Sequence, residues 1–179
     1  MDFKESRTYA NLLAAIAGES QAAVKYEHYA KLARKEGYEQ IADFFELTSK
    51  NEKAHAYQWF KAYRENNIPG TLDALEDAAG GEHYEWTQMY KEFSEIAKEE
   101  GYHEIAKKME NIANIEHHHE ERFKKLAENI KENKVFKKEE DSKWICKNCG
   151  YIHNDKNAPA VCPVCQHPMA YFEVEKENY

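Results

Sequence analysis

The chain has 179 residues, 32% of them charged, with a formal net charge of −8, which is room for one ordinary domain plus a small module. Its cations are interleaved with Glu along the chain, and this excludes a general nucleic-acid binder, because neutralising phosphates needs clustered Lys and Arg. No apolar run approaches the roughly 18 residues that cross a bilayer, and Met1-Asp2-Phe3-Lys4-Glu5 lacks the apolar core of a signal peptide, so a cytoplasmic protein with no membrane partner is expected.

Residues 5 to 66 carry apolar side chains at helical spacing with no proline, broken only at Glu36-Gly37-Tyr38, where Gly37 suits the left-handed residue that ends a helix. This predicts two helices, about 5–36 and 38–66. Asn66, Asn67, Pro69 and Gly70 end the second, and a long connection is expected up to Gly80-Gly81, with one short helical turn around Leu72 to Ala78. Helical pattern resumes over about 81–100, breaks at Glu100-Gly101-Tyr102, and runs on to about 132.

The halves repeat at an offset of 64. Tyr26 matches Tyr90, Leu32-Ala33 matches Ile96-Ala97, Glu36-Gly37-Tyr38 matches Glu100-Gly101-Tyr102, and Glu52 and His55 match Glu116 and His119. A duplicated helical hairpin with one long link is the pattern of a four-helix bundle with a crossover connection, so the fold class is mainly α. The expected domains are a bundle over 1–136, a charged linker at 137–142, and a module over 143–179 that is too short for an independent apolar core and needs a metal to fold.

Glu52-x-x-His55 and Glu116-x-x-His119 each set a carboxylate and an imidazole on one helix face. One such pair is commonly a solvated surface pair; recurrence at the offset of the duplication points both at one bundle interior. The other two helices offer Glu19 after Ala17-Gly18 and Glu82 after Gly80-Gly81, small residues expected to let helices approach closely. Here the offset is 63: Glu19 to Tyr26 spans seven positions and Glu82 to Tyr90 eight, so the third helix holds one extra residue, which a π-bulge would absorb. Glu85 lies in that stretch without an acidic counterpart and is a candidate extra ligand.

A Glu from each of two helices with Glu-x-x-His from the other two is the donor pattern of ferritin-like di-iron carboxylate bundles. Five carboxylates nearly balance two ferrous or ferric ions; without metal, burial and mutual repulsion would raise Glu pKa values. Oxygen-rich ligation with one imidazole per ion suits iron or manganese, with zinc a possible substitute. Tyr26 and Tyr90 read either as core aromatics or as phenols bonding the ligand carboxylates. His117 and His118 point away from His119 around the helix and are assigned to the surface.

All four cysteines fall in Cys146-x-x-Cys149 and Cys162-Pro163-x-Cys165, in a chain without an export signal, which favours a tetrathiolate metal site over disulfides. The spacing admits structural zinc or a single redox iron.

Together these motifs resemble the rubrerythrin family, a ferritin-like di-iron bundle followed by a rubredoxin-like domain. The resemblance rests on Ala17-Gly18-Glu19-Ser20, Asn51-Glu52-Lys53-Ala54-His55, Gly81-Glu82-His83-Tyr84-Glu85-Trp86-Thr87, Met89-Tyr90, Glu116-His117-His118-His119-Glu120, and Cys162-Pro163-Val164-Cys165 with His167-Pro168. It implies that Glu52 and Glu116 bridge two irons, Glu19 and Glu82 are terminal ligands, His119 binds one iron, and His55 and Glu85 alternate on the other. It also implies a third iron at Cys146, Cys149, Cys162 and Cys165, and tyrosines near the di-iron site at Tyr26 and Tyr90. The implied activity is a peroxidase that reduces hydrogen peroxide to water in protection against oxidative stress. Its electron donor would be rubredoxin or an NAD(P)H-dependent rubredoxin reductase, and the chain would form a homodimer. A ferroxidase or iron-handling protein, and a zinc-ribbon interaction module, are the alternatives. Two features depart from the family: Gln166 stands where rubredoxins usually carry Gly, and the connection before Gly81 is short.

Overall fold

The structure, a computed structural model, describes residues 2–178. It divides into two compact units at Ile68/Pro69, each described by itself.

The first unit is a helical hairpin. Ser6 caps α1 (Arg7–Lys35), its hydroxyl accepting from the Tyr9 N–H at 3.1 Å. The helix ends where Gly37 turns left-handed (φ +85°) and the Tyr38 N–H reaches back to the Ala33 carbonyl at 2.8 Å. The chain then reverses into α2 (Glu39–Tyr63). The two helices meet along a narrow seam of small residues, Ala23, Ala30, Ala33, Ala42 and Ser49, with the Ser49 hydroxyl donating to the Ala23 carbonyl at 2.9 Å. At the turn Arg34 pairs with Glu39, Asp43 and Glu46 across the hairpin.

The second unit begins with α3 (Thr71–Tyr84), which continues through a π-turn (Glu85–Met89) into α4 (Tyr90–Glu99). Gly101, at φ +85°, closes α4 with the same bond as the first hairpin, Tyr102 N–H to Ala97 O, at 2.7 Å. The residues repeat at the offset of 64, and so does the turn. The long α5 (His103–Lys131) packs back on α3, the π-turn and α4, again over a seam of small residues that includes Ala79, Ala97 and Ala106.

Two expectations give way here. The long connection reduces to residues 64–70, because Thr71 to Ala79 is continuous α-helix and Gly80 and Gly81 lie inside it. Leu72, Leu75 and Ala79 carry helical spacing, and each interior glycine costs about 1 kcal/mol, which the rest of the helix offsets. Within its own hairpin none of those glycines, nor Gly18, marks a close approach: beyond its own helix, a Cβ built on any of them meets no atom within 4 Å.

A three-stranded antiparallel sheet completes the unit, in the order β2-β1-β3, with β1 Lys137–Cys146, β2 Ile152–Asn157 and β3 Phe172–Val174. Residues 137–142, expected as a linker, are the first half of β1: Lys137 pairs with Asn157 and Ser142 with Asp155, with an irregularity between. Trp144, Cys146, Ala158, Cys162 and Phe172 form the module's core, and the Trp144 indole donates to the Asp155 carbonyl at 2.9 Å. Among the described residues no helix is long and apolar enough to cross a membrane.

Candidate metal centres

The Glu-x-x-His pairs do what their spacing predicts. On α2 the His55 Nδ1 lies 2.8 Å from a Glu52 oxygen and 3.9 Å from a Glu19 oxygen supplied by α1. On α5 the His119 Nδ1 lies 2.7 Å from Glu116 and 3.7 Å from Glu82, supplied by α3. In each hairpin the three groups offer ligand atoms all within 4.8 Å of one another, a spacing that one metal ion can gather. Each triad is thus built inside a single hairpin.

The π-turn falls where the extra residue was counted. The Tyr90 N–H reaches five residues back to the Glu85 carbonyl, so Glu82 and Glu85 precede the bulge and Tyr90 returns to phase after it. Glu85 acts electrostatically on both sides. Burial first, then the Glu116 charge, with Glu85 adding to them, raises the Glu82 carboxyl above the ordinary range, against the opposing pull of His119. Burial, Glu85 and Glu116 likewise raise the Tyr90 phenol. This is the strain expected of carboxylates gathered for a cation. Tyr26, seven residues past Glu19 on the same face of α1, stacks on Phe45 with ring centroids 6.1 Å apart.

Sequence reasoning passed over Glu120. Only 3% exposed, it accepts from the Trp86 indole, from Lys124, and from His83 at 3.0 Å. Burial opposes its charge, but bonds from Lys124, Trp86 and His83 prevail and hold its carboxyl at about 2. A carboxylate four residues after Glu116 shares that residue's face, so position alone could have flagged it; only packing reveals that His83 and Trp86 come to it. Glu120 thereby ties the stretch carrying Glu82 and Glu85 to α5. His117 rests against the Trp86 ring and His118 faces Glu121, both exposed as assigned.

The four thiols lie mutually within 4.8 Å, with Cys146 3.7 Å from Cys165 and Cys149 3.6 Å from Cys162. A tetrahedral ion with metal–sulfur bonds near 2.3 Å sets its sulfurs about 3.8 Å apart, so the cage has the right size. Both knuckles turn alike: Gly150 N–H bonds Cys146 O at 2.8 Å, and Gln166 N–H bonds Cys162 O at 3.0 Å. Gln166 adopts φ +61°, so the left-handed position is kept at a strain of about 1 kcal/mol. At Cys149 the Tyr151 N–H favours the thiolate, yet desolvation and the neighbouring thiols push the group up to about 12. At Cys165 the His167 N–H leads the effects that bring it down to about 6.

Helical carboxylate and imidazole triads in one chain with a tetrathiolate module define a non-haem iron protein of the di-iron carboxylate class. The chain belongs to the rubrerythrin family, whose model matches residues 10–127, while the rubrerythrin rubredoxin-like domain matches residues 144–173. It is 45% identical to rubrerythrin of Nitratidesulfovibrio vulgaris, with 98% of each chain covered, and 43% identical to rubrerythrin of Porphyromonas gingivalis, with 98% of this chain and 94% of that one covered. Nigerythrin of the former organism is 36% identical over 92% of this chain and 85% of its own. A solved structure of partially reduced nigerythrin shares 32% identity over 95% of this chain and 87% of that one, at a TM-score of 0.36. This is an iron-dependent oxidoreductase family, and the donor sets suit iron at both kinds of site: a di-iron carboxylate site on Glu and His groups, and a rubredoxin-like site on four cysteines.

Proposed function

We propose that the protein is a non-haem di-iron peroxidase that reduces hydrogen peroxide to water, a cytoplasmic homodimer whose role is protection against oxidative stress. The observation that carries this reading is the pair of matching triads, Glu19 with Glu52 and His55, and Glu82 with Glu116 and His119, in one chain with a four-thiol cage. Residues 1–136 form the di-iron domain, and the rubredoxin-like domain runs to 179 from the start of β1 at Lys137.

Iron held on these groups would supply redox chemistry: two electrons, taken with two protons, are what convert one hydrogen peroxide into two waters. Glu52 and Glu116 would be the carboxylates shared by two ions, Glu19 and Glu82 would each serve one ion, and His119 would serve one ion. His55 and Glu85 are alternative ligands to the other. Tyr90 keeps its proton at neutral pH, because burial and the Glu85 and Glu116 charges raise its phenol, and its hydroxyl offers a hydrogen bond to those carboxylates; Tyr26 is assigned the matching role on α1. The buried Cys146 and Cys162, packed with Trp144 and Phe172, would shield one side of an iron held on the four thiols, which would supply one-electron chemistry, with rubredoxin or an NAD(P)H-dependent rubredoxin reductase as the donor.

Rapid mixing of fully reduced, iron-loaded protein with peroxide and, separately, with oxygen tests the reading. Peroxide should reoxidise the irons at least tenfold faster than oxygen and be consumed in sustained turnover when donor is supplied. Iron oxidation and release without sustained peroxide loss would instead assign ferroxidase or iron-handling chemistry, and a colourless protein with zinc on its cysteines would assign a zinc-ribbon module.

A further inference from the structure

The four ligands expected on the second hairpin are each followed directly by a member of one connected group. Glu82 precedes His83, Glu85 precedes Trp86, Glu116 precedes His117, and His119 precedes Glu120. One residue further along a helix is roughly a quarter-turn further round it, and in two antiparallel helices that step leads to the same flank of the pair. There the followers meet. The Glu120 carboxylate accepts from the His83 Nδ1 on one oxygen, at 3.0 Å, and from the Trp86 indole on the other. The His83 ring meets Trp86 edge-on with centroids 5.6 Å apart, and His117 lies against the same indole at 4.5 Å.

The first hairpin serves as an internal control. At the offsets of the duplication Ser20 stands for His83, Ala22 or Ala23 for Trp86, Lys53 for His117 and Ala56 for Glu120. The alanines offer no polar side chain, and Lys53 pairs with Glu27 instead. That hairpin still gathers Glu19, Glu52 and His55, so a triad does not need such a group behind it. What the second hairpin has in addition is the π-turn and Glu85.

Glu85 is also the carboxylate that helix period fixes least. It stands outside the set of Glu82, Glu116 and His119, whose ligand atoms lie within 4.8 Å of one another, and it opens the π-turn, where the helical ladder shifts by one residue. Its charge nevertheless acts on Glu82 and Tyr90, which keeps it at the edge of that set. The residue of the π-turn tied to α5 is its neighbour Trp86, and the Thr87 hydroxyl donates one turn back to the carbonyl of His83, which Glu120 also holds. Glu120 is a firm anchor: 3% exposed, occupied on both oxygens, and bonded by Lys124 from the next turn of α5. Hydrogen-bonded groups behind a ligand set its direction.

We propose that Glu120 is a positioning residue for Glu85: by holding Trp86 and His83 to α5 it fixes the rotation of the π-turn, and so the direction in which Glu85 presents its carboxylate beside Glu82 and Glu116. Resting on the reading of Glu85 as an iron ligand, this adds what aims it and why only the second hairpin carries the brace.

The full-length chain, loaded with the Mössbauer isotope of iron, tests this, with ferric-thiolate absorption counting the folded chains. Glu85→Ala first identifies the oxidised di-iron doublet that depends on Glu85, shifted or lost when that carboxylate goes. Trp86→Phe removes the indole donor, and Glu120→Gln keeps the shape but leaves one acceptor oxygen in place of two. Both should shift or lose the same doublet, and adding Glu85→Ala to either should change it no further. A wild-type doublet in Trp86→Phe and Glu120→Gln, with a lowered urea midpoint or without one, would overturn the proposal and leave Glu120 a purely structural group. Shifts that add to that of Glu85→Ala would overturn it too, since the brace would then act on another ligand. An unchanged spectrum in Glu85→Ala would remove Glu85 from the ligands, and the proposal would fall with that reading.

Discussion

The cysteine module and the helical hairpins solve the same problem, gathering charged donors around a cation, at opposite degrees of self-sufficiency. In the module all four donors sit within 37 residues of sequence, and Trp144, with no exposed surface, packs with Phe172 over the cage. In each hairpin the buried positions are almost all Ala and Ser, three donors converge, and large apolar groups such as Phe44, at 61% exposure, face outward. A small module draws its stability from the metal and a few aromatic groups, and so closes on itself. A helix pair with a thin seam cannot, and its ligand face asks for a further layer.

The most drastic way to probe this contrast is Cys162→Ser. It should abolish the ferric-thiolate absorption and unfold the sheet over 137–174, while helical circular dichroism falls by no more than about a tenth. A large loss of helix would show that the module and the hairpins are one cooperative unit. Next in size is Glu120→Ala, which leaves His83, Trp86 and Lys124 without their shared acceptor in a hairpin that has little apolar seam to spare. Urea unfolding should show a loss of about 2 kcal/mol, with iron retention reduced because Glu82 and Glu85 are no longer tied to α5; unchanged stability would mean the seam alone holds α3.

The smallest effect is expected at the surface. Bonds from Lys98 and then Lys107 hold the Glu110 carboxyl below its ordinary range. A carboxyl depressed in the folded state contributes stability above its unfolded pKa, and loses that contribution as the pH falls through the folded value. Glu110→Gln should therefore lower the thermal midpoint slightly at pH 7, and the difference from wild type should shrink once the pH falls below about 4 and disappear in stronger acid. A difference that persists in acid would point to packing as its cause.

Much of the helical half was legible because its signals are local. Gly37 and Gly101 turn left-handed where the helical pattern breaks, and the repeat at 64 reappears as identical turn bonds. The count of eight between Glu82 and Tyr90 located the π-turn, since an extra residue in a helix must be absorbed within about one turn. Thr71 to Ala79 was misjudged because Gly80-Gly81 reads as a break, although packing against α5 outweighs two weak propensities.

The sequence by itself determined the donors and their grouping: helix period sets Glu and His three apart on one face, and paired knuckles set four thiols in one cage. Only tertiary structure decided what those donors rest on. The burial of Glu120 under His83 and Trp86, the recruitment of 137–142 into a strand by Asn157 and Asp155, and the exposure of Ile41, Trp59 and Ile105 depend on partners far away along the chain. Periodicity says which face is apolar, and packing alone says what covers it.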